Sequence, residues 1–270
     1  MGKNRLDKEL VLRGLAESRE RASSLVMAGE VYVNGKMEDK AGKGVVPIDS
    51  IEICSRSPKY ASRGGLKLEK ALQAFRIGLS GKTALDVGAS TGGFTDCMLK
   101  AGAKKVYAVD VGYGQLALSL RSDSRVVCLE RENFRYLAFE KVGEPCDAAA
   151  MDVSFISAGK LAENLKRFLK EGADAIVLVK PQFESDRKGA GKKGVVRDRG
   201  KHFEAIEKVA GAFTKEGFFI WGIDYSPIAG PKGNIEFLAH FCLGKEGAEP
   251  AQGWESEMRL CVEKAHEDLG

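Results

Sequence analysis

The sequence predicts an α/β protein: a largely parallel sheet covered by helices, preceded by a small α+β module. Three observations carry that prediction. From residue 83 onward, short apolar runs alternate with stretches of helical periodicity, the pattern of βαβ units. Within that region "LDVGASTGGFTD", residues 85–96, reads as a strand that passes through a glycine-rich turn into a helix. The first 55 or so residues hold two short helical stripes and a few strands, too little to bury a large core, so they read as a separate module. The expected domains are residues 1–60 and 61–270.

The module begins with "RLDKELVLR", which places Leu6, Leu10 and Val11 on one helical stripe, and a second stripe follows in Ala22, Leu25 and Val26. Ser18 is the expected N-cap of the second helix and Gly29 its stop. In "VYVNGK" an alternating strand meets Asn34-Gly35, a tight-turn signal, and a further strand is expected at "SIEI", 50–53. This string resembles the small RNA-binding domain named after the fourth small-subunit ribosomal protein, through Arg5-Leu6-Asp7, Ser18-Arg19 and "GEVYVNGK". The resemblance implies RNA contacts at Arg5, Arg19, Arg21 and Lys36; taken singly, these residues read equally well as solvated surface charges.

In the larger region the strands are expected at "TALDVG", "KVYAVDV", "RVVCL", "DAAAMDVS", "AIVLVK", "GFFIWGI" and "NIEFLAHFCL". A ligand is then expected beyond their carboxyl ends. The turn Gly88-Ala89-Ser90-Thr91-Gly92-Gly93 does not match G-x-G-x-x-G and lacks a Gly-Lys-Ser/Thr ending, which argues against a dinucleotide or a nucleoside triphosphate. What remains is Asp86 ahead of a flexible turn and Asp110 ending the next strand, where a carboxylate can accept from two ribose hydroxyls. This arrangement resembles the S-adenosylmethionine turn of Rossmann-like methyltransferases. The cofactor residues it implies are Asp86, Gly88, Ala89, Ser90, Gly92, Gly93, Phe94 and Asp110, with Asn133 and Phe134 of "RENFRYL" at the adenine. Many relatives have Asp where Asn133 stands.

Polar residues interrupt apolar strand ends at Asp152 in "MDVSF", Lys180 in "VLVKPQFE" and Glu236 in "GNIEFLAHF". A lysine such as Lys180 is costly to bury unless it is paired or functional. Earlier, "SRGGLKLEKAL" supplies Lys67 and Lys70 on a helix with Leu66, Leu68 and Ala71. Lys67, Asp152, Lys180 and Glu236 resemble the Lys-Asp-Lys-Glu tetrad of FtsJ-like RNA ribose 2′-O-methyltransferases, while Lys70 has no place in it. With the first module included, the chain resembles the TlyA family, also called hemolysin A, over residues of about 3 to 244. The most specific matches are "YASRGGLKL", "DVGASTGGFTD", "MDVSFIS" and "VKPQFE".

That resemblance implies methyl transfer from S-adenosylmethionine to a ribose 2′-hydroxyl of ribosomal RNA, at a cytidine, with ribosomal RNA or ribosomal subunits as partners. Lys180 would accept the hydroxyl proton or orient the oxygen, and the two carboxylates would hold the two ammonium groups. A purely structural reading, two ion pairs that hold strand ends together, also fits the residue types. Two rival functions are an RNA-binding assembly factor with weak or lost catalysis, and the membrane-active protein that the hemolysin name suggests.

Composition bounds these readings. At 270 residues, with 44% hydrophobic and 30% charged residues, the chain can bury a sizeable core. Apolar runs such as "AIVLV", 175–179, fall short of the ~20 residues that a membrane span needs, and the polar start "MGKNRLDKEL" holds no secretory signal. Six cysteines without a Cys-x-x-Cys pair argue against a zinc site or disulfide framework and fit the cytoplasm, and no metal is expected. The net charge of +4 is uneven, since residues 184–201 hold 7 Lys/Arg against 3 Asp/Glu, while residues 245–270 hold 3 against 7. The basic stretch "ESDRKGAGKKGVVRDRG" is expected to form a loop over the active site that meets RNA through Arg187, Lys188, Lys192, Lys193 and Arg197. Trp254, Met258, Cys261, Ala265 and Leu269 form the stripe of a closing helix.

Overall fold

The computed structural model describes residues 3–27, 29–53, 59–184, 194–244 and 253–269. It divides into two compact units, Met1–Arg63 and Gly64–Gly270. The first contains β1 (Asn4–Arg5), α1 (Leu6–Leu12), α2 (Arg19–Met27), β2 (Val31–Val33), β3 (Lys36–Met37), β4 (Gly44–Val45) and β5 (Ile51–Ile53). Ser18 caps α2, its Oγ accepting the Arg21 N–H at 3.1 Å. Asn34 and Gly35 both take the left-handed conformation, φ 52° and 75°, as a two-residue hairpin turn between β2 and β3 requires. Leu6, Leu10, Leu25, Val26, Val31 and Val33 form the centre of a core of their own.

The second unit runs α3 (Gly64–Ala74), β6 (Thr83–Val87), α4 (Gly93–Lys100), β7 (Lys105–Asp110), α5 (Leu118–Arg121), β8 (Val126–Glu130), β9 (Cys146–Met151) and α6 (Ala162–Arg167). It continues with β10 (Leu169–Val179), α7 (Pro181–Glu184), α8 (Arg199–Lys215), β11 (Phe218–Tyr225), β12 (Phe237–Leu243) and α9 (Trp254–Leu269). One seven-stranded sheet results, in the order β11-β12-β10-β9-β6-β7-β8. Its interior strands are apolar on both faces, β6 being buried at every position, as expected for parallel strands covered by helices.

The expectation of a largely parallel sheet holds from β8 across to β10. At the far side β12 runs antiparallel to both β10 and β11. The link between β11 and β12, residues 226–236, carries no crossover helix, so β12 returns as the hairpin partner of β11. It also starts later than its apolar pattern suggests, leaving Asn234 and Glu236 on the link. In α9, Met258, Cys261, Val262 and Ala265 are the buried stripe.

Candidate active site

β6 is the turning point of the sheet: the chain builds outward from it to β7 and β8, then returns to place β9 on its other side. Ligands of open α/β sheets bind beyond the strand ends at such a reversal. A cavity of about 340 Å³ opens there, lined by Gly88, Ser90, Asp110, Asn133, Phe134 and Asp152 among others. Gly88 has φ +88°, and a Cβ on it would stand 2.4 Å from the Asp152 carbonyl oxygen. Only glycine lets the two strand ends approach this closely.

Asp110 accepts the Ser90 N–H at 2.8 Å and the Gly112 N–H at 2.6 Å, which orient its carboxylate and leave lone pairs for two hydroxyls. Beneath the turn, Asp86 is 0% exposed and accepts the Thr95 hydroxyl at 2.6 Å. Its Oδ1 has no hydrogen-bond partner among the described residues. Burial, reinforced by the charges of Asp152 and Asp110, pushes its pKa up to about 7.

Other residues expected at a cofactor take supporting places. Ala89, Gly92, Gly93 and Phe94 are buried outside the cavity lining, and Phe94 points into the core from α4, whose inward face it shares with Cys97 and Met98. Asn133 does line the cavity, but its side-chain Oδ1 already accepts the Arg135 N–H at 3.1 Å.

A second cavity, of about 410 Å³, is lined by Lys67, Asp152, Ser154, Lys180, Lys232 and Glu236 among others. Lys67 comes from α3, Asp152 and Lys180 directly follow β9 and β10, and Glu236 directly precedes β12. Lys67 Nζ donates to Glu236 Oε2 at 2.5 Å, with the two side chains 9% and 1% exposed. Lys180 Nζ stands 2.5 Å from Asp152 Oδ1 in an ion pair that lacks hydrogen-bond alignment, and it donates to Ser154 Oγ at 3.0 Å. The structural reading is right that each lysine is paired. It does not account for both pairs facing one cavity, or for Asp152, Ser154 and Phe155 lining both cavities.

Glu184 braces this arrangement. Its Oε1 accepts the Ala158 N–H at 2.8 Å, tying α7 to the segment after β9, and burial raises its pKa. Lys70 stays outside both cavities, where it bonds Asp224 at 2.9 Å and the Tyr225 carbonyl at 2.7 Å and so fastens α3 to β11.

Sequence reasoning passed over Ser154, Phe155, Gln182 and Lys232, all of which line the second cavity. Their only signal was adjacency to "MDVSF", "VKPQFE" and "GNIEF". Phe155 is 92% exposed at φ +66°, a conformation that a bulky residue adopts at a cost. Lys232 is exposed and has no carboxylate partner among the described residues.

In the first unit, Arg5 and Arg19 converge on buried Asp7, at 2.9 and 3.1 Å. The Arg5 guanidinium, assisted by Arg19, holds the Asp7 pKa down at about 2 against the cost of burial. Both arginine side chains remain 57% exposed, so each is positioned and still open to a second anion. Arg21, Lys36 and Arg197 are exposed. Arg187, Lys188, Lys192 and Lys193 lie outside the described residues.

Comparison with known proteins fits this geometry. Residues 60–243 match the model of the FtsJ-like methyltransferase. The chain belongs to that family. Residues 4–51 match the S4 domain, so this FtsJ-like methyltransferase carries an RNA-binding module. It is 47% identical to YqxC of Bacillus subtilis over 99% of this chain and 95% of that one. It is 40% identical to the 16S/23S rRNA (cytidine-2′-O)-methyltransferase TlyA of Mycobacterium tuberculosis, over 96% of this chain and 97% of the relative. A solved structure from Streptococcus thermophilus that carries the hemolysin name is 41% identical and superposes with a TM-score of 0.78, covering 99% of this chain and 97% of that one. No described helix is long and apolar enough to cross a membrane.

The cofactor of the FtsJ-like enzyme is S-adenosylmethionine, and the residues of the first cavity fit it. Gly88 lets the turn close against the Asp152 backbone at the cavity wall, and Asp110 is oriented as a ribose acceptor. Asp86, buried beneath the turn and bonded to Thr95, supports the turn from below and does not line the cavity.

Proposed function

We propose that this FtsJ-like methyltransferase methylates the 2′-hydroxyl of a cytidine in ribosomal RNA, with the S4 domain supplying affinity for the RNA. One observation carries the reading: Lys67, Asp152, Lys180 and Glu236 line one cavity, and Asp152 also lines the cofactor-sized cavity beside it. S-adenosylmethionine supplies an electrophilic methyl group. Asp110, with the Gly88–Ser90 turn, would hold its ribose and backbone-facing side, and Phe134 its adenine.

In the second cavity Lys180 directs an N–H at the 2′-oxygen and fixes it in line with the methyl. The proton that the hydroxyl sheds as it attacks goes to the Asp152 carboxylate, the basic member of the Asp152–Lys180 pair. Lys67, neutralised by Glu236, shapes the acceptor side without leaving a net charge beside Lys180. Arg5, Arg19, Arg21 and Lys36 contact phosphates, which supply affinity rather than sequence choice. The cytidine and the rRNA substrate rest on the name of the mycobacterial relative.

The test is transfer of labelled methyl from S-adenosylmethionine to isolated ribosomal subunits and to naked rRNA, comparing wild type with Lys180→Ala and locating the label by nuclease digestion and mass analysis. Label on a cytidine ribose that disappears in the variant is the expected result. Cofactor binding without transfer to any ribosomal RNA would overturn the substrate assignment.

A further inference from the structure

We infer that Ser154 is a positioning residue for Lys180, setting the direction in which its ammonium group faces the 2′-oxygen. The inference rests on the methyltransferase reading above. A lysine nitrogen has three directions open beyond its own Cε, and rotation about the side-chain bonds averages them unless a partner selects one.

Charge alone does not select it. Asp152 Oδ1 is 2.5 Å away but outside hydrogen-bond alignment, so it attracts the ammonium without choosing among its N–H groups. Ser154 Oγ, at 3.0 Å, is the aligned acceptor. Lys67 needs no such second partner, because its own contact with Glu236 is both an ion pair and an aligned hydrogen bond.

Placement supports the same role. Ser154 lies two residues after Asp152 in the segment that lines both cavities, where the methyl must cross. Asp152 Oδ1 and Ser154 Oγ take two of the directions around Nζ at the wall of the second cavity, and the third is left for the 2′-oxygen. The segment itself is held independently, by Glu184 on the Ala158 N–H and by the Asp152 N–H on the Val87 carbonyl at 2.9 Å. Removing the hydroxyl therefore leaves the loop in place and frees only the amine.

The experiment compares Ser154→Ala and Ser154→Thr in the full chain, measuring kcat and KM on the ribosomal substrate and S-adenosylmethionine affinity by calorimetry. Loss of one hydrogen bond to a charged group predicts a fall of roughly 10- to 100-fold in kcat for Ser154→Ala, with RNA KM and cofactor affinity within about twofold of wild type, a margin well inside that effect. Ser154→Thr, which keeps the hydroxyl, is expected to recover most of the rate. Unchanged kcat in Ser154→Ala overturns the inference. So does equal loss in both variants accompanied by weakened cofactor binding, since the residue would then be shaping the cavity wall. A wild type that binds cofactor and transfers nothing to ribosomal RNA overturns the functional reading and this inference with it, whereas an active wild type with an indifferent Ser154→Ala overturns the inference alone.

Discussion

The pairs Lys67–Glu236 and Lys180–Asp152 share a separation of 2.5 Å and differ in almost everything else. In the first, the carboxylate is 1% exposed and the hydrogen bond is aligned. In the second, the carboxylate is 21% exposed, the alignment is missing, and a serine supplies the directional contact. A dry, aligned pair holds geometry, because separating it strands a charge in a medium that cannot solvate it. A pair whose carboxylate is partly open and whose ammonium is oriented by a third group can exchange partners and protons at lower cost. Two lysines that look equivalent in sequence thus divide into an anchor and a working group.

The largest effect expected from breaking this comparison is on rate. Lys180→Ala should lower methyl transfer by about 10²–10⁴-fold while leaving cofactor affinity near wild type, as read by single-turnover transfer and calorimetry. Equal loss of cofactor affinity would mean that Lys180 builds the cavity instead of serving the acceptor.

On stability the order reverses. Glu236→Gln leaves the Lys67 charge buried without its counter-ion and should cost about 3–5 kcal/mol in urea unfolding. Asp152→Asn, at a wetter position with Ser154 still in contact with Lys180, should cost less than half as much. Comparable losses would erase the distinction between the two pairs.

Smaller still is the expected effect of removing Lys232, a cavity-lining cation with no carboxylate partner among the described residues. Lys232→Ala should weaken RNA binding with little change in kcat, and should reduce the slope of log affinity against log salt by about 0.7–0.9, one phosphate contact. An unchanged slope would remove Lys232 from the RNA interface.

Asp86 sharpens the comparison as a buried carboxylate with no cationic partner among the described residues, and its effect is read against pH. Its folded pKa of about 7 lies above the ordinary value of 3.8, so between those pH values the folded state holds a proton that the unfolded state has released. This group's contribution to stability therefore falls as pH rises from about 4 to about 7 and is level above that. Asp86→Asn should show a shallower decline of Tm across that window than wild type, and matching declines would show that Asp86 is ionised throughout.

Much of this was legible from the chain itself. The sheet's strands appear as apolar runs, the glycine turn as Asp86 followed by glycines, and Asp152, Lys180 and Glu236 as polar residues beside apolar strand segments, while Lys67 on α3 joined them only through the family resemblance. Those signals are local, so a linear reading recovers them. The direction of β12 was not legible, since an apolar run such as "FLAHFCL" has the same pattern in either orientation. Phe94 looked like part of a ligand loop because it adjoins the glycines, yet the helical turn carries it inward.

Sequence alone determined the chemical inventory: two lysines and two carboxylates at strand and helix ends, a glycine turn beside an acidic strand, and arginines around Asp7. Tertiary structure decided who pairs with whom. Lys67 meets Glu236 across 169 residues and Lys180 meets Ser154 across 26. No local propensity encodes those distances, because they arise only when the order of strands in the sheet brings distant ends together. Burial then set the difference in character between the two pairs, since the strength of a charge contact depends on the water that folding removes.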